Sequence, residues 1–116
     1  MEGREIIKVD ENTKGVFVCA KSKYDFGLGM YWLILISDVK EKDFEGNRFL
    51  QMWRHASIYY GLSGSIEYAS ETPFQWGSIG GYIFYKATEE EKKLLKDLIK
   101  RKNLKYVKAL NRIIKR

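Results

Sequence analysis

The stretch Tyr31-Trp-Leu-Ile-Leu-Ile-Ser-Asp-Val39 decides the fold. It is rich in aromatic and β-branched residues, and its centre is apolar at successive positions. Because side chains of a strand point alternately to the two faces of a sheet, such a run is typical of a strand that is covered on both sides. The stretch therefore predicts a central strand in which Leu33, Ile34 and Leu35 are almost completely buried.

Four other segments also predict strands. Residues 5–9 and 15–20 are apolar runs joined by the polar turn 10–14, an arrangement that predicts a hairpin. Residues 65–69 and 82–86 predict two more short strands. Together with the central strand, these segments predict a mainly antiparallel sheet of about five strands.

Residues 48–60 fit two different patterns. Apolar side chains recur there at helical spacing, at Phe49, Met52, Trp53, Ala56 and Tyr60. Asn47 can cap such a helix and Gly61 can end it, so we predict a helix over 48–60. The alternative is a long strand, because apolar residues also nearly alternate in this segment. A strand here would turn at 61–64 and change the fold towards a small β-barrel with C-terminal helices.

The C-terminal quarter of the chain predicts two helices. Thr88 and Glu91 have the spacing of a capping box, and the leucine pairs that follow predict a helix over 89–101. After a short break, a second apolar stripe at helical spacing predicts another helix; its members are Leu104, Val107, Leu110 and Ile114. The sequence thus predicts one α+β domain over 1–116, with one central helix and two C-terminal helices packed on the sheet. The C-terminal pair forms a basic helical segment at 88–116.

The positive charge of the chain is concentrated at its end. The net charge is +6 at pH 7, but residues 1–91 carry 10 Lys and Arg against 14 Asp and Glu. Residues 92–116 carry 11 Lys and Arg against a single acidic residue, Asp97. Such a block indicates a partner that is itself strongly negative, either a nucleic acid or an acidic protein surface. A solvated helix surface is the simpler explanation of the same block.

A helix over the second stripe would place four cations on one face within about 80° of arc, because they recur at i, i+3, i+7 and i+10. These cations are Lys105, Lys108, Arg112 and Lys115. Phosphates accept such rows, and affinity increases with the number of phosphate charges that are neutralised. We therefore predict a small, non-catalytic nucleic-acid-binding protein that uses this helix. The alternative is a protein-interaction module, such as a small regulator or inhibitor, that docks on an acidic partner.

Aromatic side chains on predicted loops are candidates for stacking with bases, which would add affinity for a nucleic acid. These candidates are Trp76, Phe74 and Tyr24. Core packing or loop anchoring is the competing explanation for each of them, and we favour it for at least two of the three.

The sequence offers little for catalysis or metal binding. Cys19 is the only cysteine, and His55, the only histidine, has no partner at ligand spacing. We therefore expect no cofactor and no metal site, and we expect both residues to be dispensable for activity. The longest apolar run is seven residues, whereas a membrane-spanning helix needs about 20. Because the N-terminus also does not read as a secretory signal, we expect a cytoplasmic protein without a membrane span.

Overall fold

The computed structural model describes residues 3–24, 27–74 and 79–116. Its main element is an antiparallel sheet, whose strands are β1 (Phe17–Ser22), β2 (Tyr31–Phe44), β3 (Asn47–Gly61), β4 (Gly64–Tyr68), β5 (Thr72–Pro73) and β6 (Tyr82–Lys86). The strands are arranged in the order β4-β3-β2-β1-β6, with the two-residue strand β5 beside β3. Over the described ranges β4 and β6 do not pair with each other, so the sheet is open and the alternative of a closed barrel is wrong.

The prediction of a central strand is confirmed by β2, which pairs with β1 on one side and β3 on the other. Leu33, Ile34 and Leu35 are completely buried. Leu33 and Leu35 belong to the core beneath the helix, whereas Ile34 belongs to the core on the opposite face of the sheet. The continuous apolar run is therefore explained by two separate cores, one on each face.

The prediction of a helix over 48–60 is wrong, because this segment is β3. β2 and β3 form a long hairpin that turns at Glu45 and Gly46, where positive φ angles of 51° and 80° suit a two-residue turn. The ladder is irregular near His55, since Ala56 pairs with Leu35 but Arg54 pairs with Ile36. The extra residue in β3 shifts the alternation by one, so that side chains after it face the opposite core from the one expected in a regular strand. This shift breaks the strict alternation and produced the helix-like spacing.

The prediction of a helix over 89–101 is confirmed by α1, which spans Glu89–Arg101. Thr88 Oγ1 accepts a hydrogen bond from the backbone N–H of Glu91 at 3.1 Å, and the Glu91 carboxylate accepts one from the backbone N–H of Thr88 at 2.9 Å. The capping box thus satisfies two N–H groups that a helix start leaves free. The buried face of α1, formed by Leu95, Leu98 and Ile99, packs on the sheet.

The prediction of a second C-terminal helix is wrong, and α1 is the one α-helix of the described residues. Residues 104–116 form a hairpin of β7 (Leu104–Val107), a 3-10 turn (Lys108–Leu110) and β8 (Arg112–Lys115). Asn103 and Asn111 adopt left-handed backbone angles, with φ of 58° and 47°, which asparagine tolerates better than most residues. The first ends the helical region and the second closes the hairpin, so the apolar stripe never continues as a helix.

The predicted hairpin of residues 5–9 with 15–20 is also wrong. The N-terminal segment runs along the free edge of β6, with one isolated bridge between Ile6 and Tyr85. The backbone N–H of Ile7 donates to the carbonyl of Phe84 at 2.8 Å, and that of Lys86 donates to the carbonyl of Glu5 at 2.9 Å. The segment thereby covers an edge that would otherwise be open to pairing with another chain. In the part of the chain that the structure describes, no helix has the length and apolar character needed to cross a bilayer.

Candidate anion-binding cleft

A cleft of about 630 Å³ opens between α1, the C-terminal hairpin and the start of β1. We call it the basic cleft, because six of its lining residues are cations: Lys86, Lys92, Lys96, Lys105, Lys108 and Arg116. The remaining lining residues are Gly15, Val16, Phe17, Ile99 and Tyr106. Among the described residues that line it, there is no Asp or Glu. The cleft therefore combines a cationic rim with a largely apolar floor.

The cations of the basic cleft come from β6, α1 and the C-terminal hairpin. Lys86 ends β6, and Lys92 and Lys96 lie one turn apart on α1, so that both side chains extend from the same helix face. Lys105 lies on β7 and Lys108 in the 3-10 turn. Because the hairpin folds back against the helix, charges that are distant in sequence converge on one concave surface.

Most of these cations are not neutralised by the protein itself. Lys92 Nζ lies 3.3 Å from Glu89, whose side chain is mostly exposed. For the other five cations, no carboxylate within the described ranges lies at ion-pair distance. Lys96 Nζ instead lies 5.7 Å from the centre of the Phe17 ring, a cation–π arrangement. Crowded like charges repel one another, so an anion in the cleft would lower the electrostatic free energy of the protein.

The floor of the cleft depends on a close approach of β1 to β7. Gly15 has a φ of +76°, and a Cβ atom at this position would lie 2.7 Å from the Tyr106 hydroxyl. Any other residue at position 15 would therefore strain the backbone and clash with the tyrosine. Glycine allows the chain entering β1 to lie against Tyr106, which keeps that ring at the floor of the cleft.

A partly buried polar network anchors the C-terminal hairpin to the sheet. Asn111 Nδ2 donates to the backbone carbonyl of Ser37 at 2.8 Å, which fixes the orientation of its amide group. Asn111 Oδ1 then accepts hydrogen bonds from the Tyr106 hydroxyl and from His55 Nε2, each at 2.9 Å. Since this oxygen can only accept, His55 Nε2 is the donor in their hydrogen bond. The network thus holds the hairpin, and the cations that it carries, against β2 and β3.

His55 and Cys19 both lie in surroundings that are typical of residues with a structural role. His55 is almost completely buried, and its hydrogen bond goes to an amide, not to a carboxylate or a nucleophile. Cys19 is completely buried, and burial raises its pKa to about 11, so that the thiol stays protonated at neutral pH. The described residues contain no cluster of three or more His, Cys, Asp or Glu side chains that could hold a metal ion.

The structure divides the four cations of the predicted helical row. Lys105 and Lys108 line the basic cleft, whereas Arg112 and Lys115 lie on β8 and do not line it. Spacing that would align all four on a helix does not align them on a hairpin, because successive strand residues point to opposite faces. The expected single row is therefore replaced by a pair at the cleft and a pair outside it.

The three candidates for base stacking have separate positions. Phe74 is 1% exposed and packs edge-on against Trp32, with ring centres 5.2 Å apart, so its environment is that of a core residue. Tyr24 is 69% exposed and lines another cavity of about 340 Å³, away from the basic cleft. Trp76 lies outside the described residues. Neither Phe74 nor Tyr24 lines the basic cleft.

Sequence reasoning missed several residues of the cleft. Lys92 and Lys96 belong to the basic block and have the i,i+4 spacing of one helix face, so the predicted helix already contained a signal for them. Phe17 and Tyr106 carried no such signal, because each resembles an ordinary core residue of its segment until the fold brings both to the lining of one cleft.

Comparison of the chain with protein-family models, with curated proteins and with solved structures found no match.

Proposed function

We propose that the protein binds nucleic acid through the basic cleft and catalyses no reaction on it. The observation that carries this proposal is the convergence of six cations on one cleft without a carboxylate among its described lining residues. A phosphodiester backbone is a regular polyanion, and cationic side chains bind it with release of its counterions. An ordinary solvated surface mixes both signs of charge, as the rest of this chain does.

An acidic protein surface is the second candidate. Leu110 and Ile114 on the C-terminal hairpin are 62% and 42% exposed, and Leu94 on α1 is 44% exposed. Exposed apolar side chains beside a charged region are typical of protein interfaces, which bury an apolar centre inside a polar rim. The concave shape of the basic cleft favours a flexible polyanion over a folded protein surface, so nucleic acid remains the leading proposal.

A salt titration with a matched pair of variants tests the proposal. Lys105→Ala/Lys108→Ala removes two cations of the cleft, and Arg112→Ala/Lys115→Ala removes two cations of the same hairpin outside it. Each phosphate contact contributes a slope of about −0.9 to log affinity against log salt for a duplex, or about −0.7 for a single strand. We expect the first variant to flatten this slope by the equivalent of about two contacts and the second to leave it nearly unchanged.

Two results would contradict the proposal. Absence of binding by the wild-type protein to both duplex and single strands at low salt would exclude nucleic-acid binding. Equal flattening by the two variants would show that binding depends on overall charge and not on the basic cleft. Circular dichroism of each variant provides the control for folding, because all four side chains are exposed and their removal should leave the hairpin intact.

A further inference from the structure

The floor of the basic cleft differs chemically from its rim. Phe17 and Tyr106 contribute aromatic rings to the lining, with Val16 and Ile99 beside them, while the cations surround this floor. A ligand that carries only negative charge would neutralise the rim but leave the apolar floor uncovered. The complementary ligand therefore has an anionic part and a flat apolar part close together, as a nucleotide has in its phosphate and base.

The volume and shape of the cleft distinguish between forms of nucleic acid. A volume of about 630 Å³ lies in the range of pockets that enclose a small organic ligand. In a duplex the bases are paired and stacked inside, so that a base reaches such a pocket only after it has been extruded at a cost in free energy. A single strand can present its bases without that cost, and aromatic side chains stack with them.

The aromatic floor is held in place before any ligand binds. The Tyr106 hydroxyl donates to Asn111, and the ring contacts His55 with 5.4 Å between ring centres. Phe17 is partly buried against the core beneath α1. Rings that are already fixed lose little conformational freedom on binding, which favours affinity. Lys96, beside Phe17, has a flexible side chain that can move from the ring to a phosphate.

We propose that the basic cleft prefers single-stranded nucleic acid, because an unpaired base contacts Phe17 and Tyr106 while the surrounding cations bind the adjacent phosphates. This inference rests on the proposed function and adds a ligand class to it. The bases contribute by stacking and the phosphates by charge, so the two contributions can be separated by removing one of them at a time.

The experiment compares four labelled probes at one salt concentration: a short mixed-sequence single strand, the same strand annealed to its complement, an abasic strand of equal length, and polyglutamate. The abasic strand keeps the phosphates and loses the bases. We expect the wild-type protein to bind the base-containing strand about tenfold more tightly than the abasic strand or the duplex, the size of effect that one stacked base provides. This comparison needs no mutation.

A variant then assigns the effect to the floor of the cleft. Phe17→Leu keeps an apolar side chain and removes the ring. We expect this variant to lose about tenfold in affinity for the base-containing strand, and to bind the abasic strand as the wild type does. The matched control is Tyr24→Leu, which removes an exposed aromatic ring outside the basic cleft and should change neither affinity.

The outcomes separate the two proposals. Equal affinity of the wild type for the single strand, the duplex and the abasic strand would overturn the preference for single strands and leave nucleic-acid binding intact. Binding to none of the three nucleic acids would overturn both. Tighter binding to polyglutamate than to any of them would overturn both in favour of an acidic protein partner. If Phe17→Leu does not fold, the wild-type comparison of base-containing and abasic strands still decides the question.

Discussion

The two long hairpins of the molecule are both densely charged, but they use their charges in different ways. In the β2–β3 hairpin, residues 38–50 extend beyond the rest of the sheet, and we call them the distal ribbon. Its cations alternate with carboxylates: Asp43 lies opposite Arg48, which also approaches Glu41 at 3.8 Å. The C-terminal hairpin, residues 104–116, contains no Asp or Glu. Positive charge is balanced locally in the distal ribbon, whereas in the C-terminal hairpin it remains available for a ligand.

The two hairpins also differ in how they are held. Most of the distal ribbon is held by its own ladder and has exposed side chains. Its base contacts the rest of the protein, through the buried Val39 and the ion pair of Asp38 with Lys14. The C-terminal hairpin is anchored by the partly buried amide of Asn111 and by Leu104, Tyr106 and Ile113, which pack on the core beneath α1. Free cations are thus carried by the better-anchored hairpin, which limits the entropy that would be lost when they bind a ligand.

The largest effect is expected from breaking the anchor of the C-terminal hairpin. Asn111→Ala leaves the Ser37 carbonyl, the Tyr106 hydroxyl and His55 Nε2 without their partner and places alanine in a left-handed conformation. We expect a loss of about 3 kcal/mol in the free energy of unfolding, because each of the three groups left unsatisfied costs about 1 kcal/mol. Urea unfolding measures it.

Asn103→Ala provides the matched control for this prediction. Asn103 is also left-handed, with a φ of 58°, but its side chain is exposed. Only backbone strain of about 1 kcal/mol is expected there. Equal losses in the two variants would show that the polar network does not stabilise the hairpin.

The second effect compares charge reversal in the cleft with the same change in the ribbon. Lys96→Glu should lower affinity for a single strand about tenfold or more at about 0.1 M salt, because it replaces an attraction for phosphate by a repulsion. Lys42→Glu in the distal ribbon makes the same change in net charge and should leave affinity within about a factor of two, since charges beyond a Debye length are screened. Fluorescence anisotropy measures both affinities, and similar losses would remove the distinction between the two regions.

Part of this fold could be predicted from the sequence alone. The central strand and α1 were predicted from signals that lie within one segment, an unbroken apolar run and a capping box. Residues 48–60 and 104–116 were wrongly predicted as helices, because the spacing of their apolar side chains fits a helix as well as it fits a strand. For 48–60 the deciding feature is the irregular pairing near His55, which depends on how β3 lies against β2. For 104–116 the deciding feature is the left-handed backbone geometry of Asn103 and Asn111, which the residue type alone does not determine.

The candidate site could be predicted from the sequence only in part, for a related reason. The charge split located the cations in the last quarter of the chain, and Lys105 and Lys108 were named from it. The cleft itself joins the start of β1 to residues 86–116, and no local pattern places Phe17 and Tyr106 in the lining of the same cleft. Which cations share a concave surface is a property of the tertiary fold, so Arg112 and Lys115 were grouped with the other two on a helix that does not form.

The third effect is a pH dependence at the start of α1. Arg4 Nη2 lies 2.6 Å from Glu91 Oε1. Burial raises the pKa of Glu91, but the hydrogen bonds from Arg4 and Thr88 outweigh it and hold the pKa below its ordinary value. A lowered carboxyl pKa stabilises the fold above the unfolded-state pKa, near 4.3, and this stability is lost as the pH falls through the folded-state pKa.

Arg4→Ala should therefore lower the free energy of unfolding by about 1 kcal/mol at pH 7, the upper end for a partly exposed ion pair. The difference from the wild type should shrink as the pH falls below about 4. Unfolding by urea at several pH values measures this, and a difference that did not change with pH would exclude the ion pair as its cause.

The smallest effect is expected from the distal ribbon. Arg48 and Glu41 are largely exposed, with their closest atoms 3.8 Å apart. Arg48→Ala should change the free energy of unfolding by less than about 0.5 kcal/mol, because exposed ion pairs contribute little. Thermal unfolding beside the wild type measures this change. A loss as large as that of Arg4→Ala would mean that the ribbon is stabilised by its charges, contrary to the contrast drawn between the two hairpins.

The central claim, that the cations of the basic cleft are available for nucleic acid and those of the distal ribbon are not, is tested most directly by an NMR titration. The backbone amide signals of the uniformly ¹⁵N-labelled protein are followed while a short single strand is added at about 0.1 M salt, where charges interact over about 10 Å. We expect the largest shifts at Phe17, Lys96 and Lys105 and at their neighbours in the cleft, with residues 38–50 unchanged. Shifts that concentrate in the ribbon, or that spread evenly over all lysines, would contradict the account.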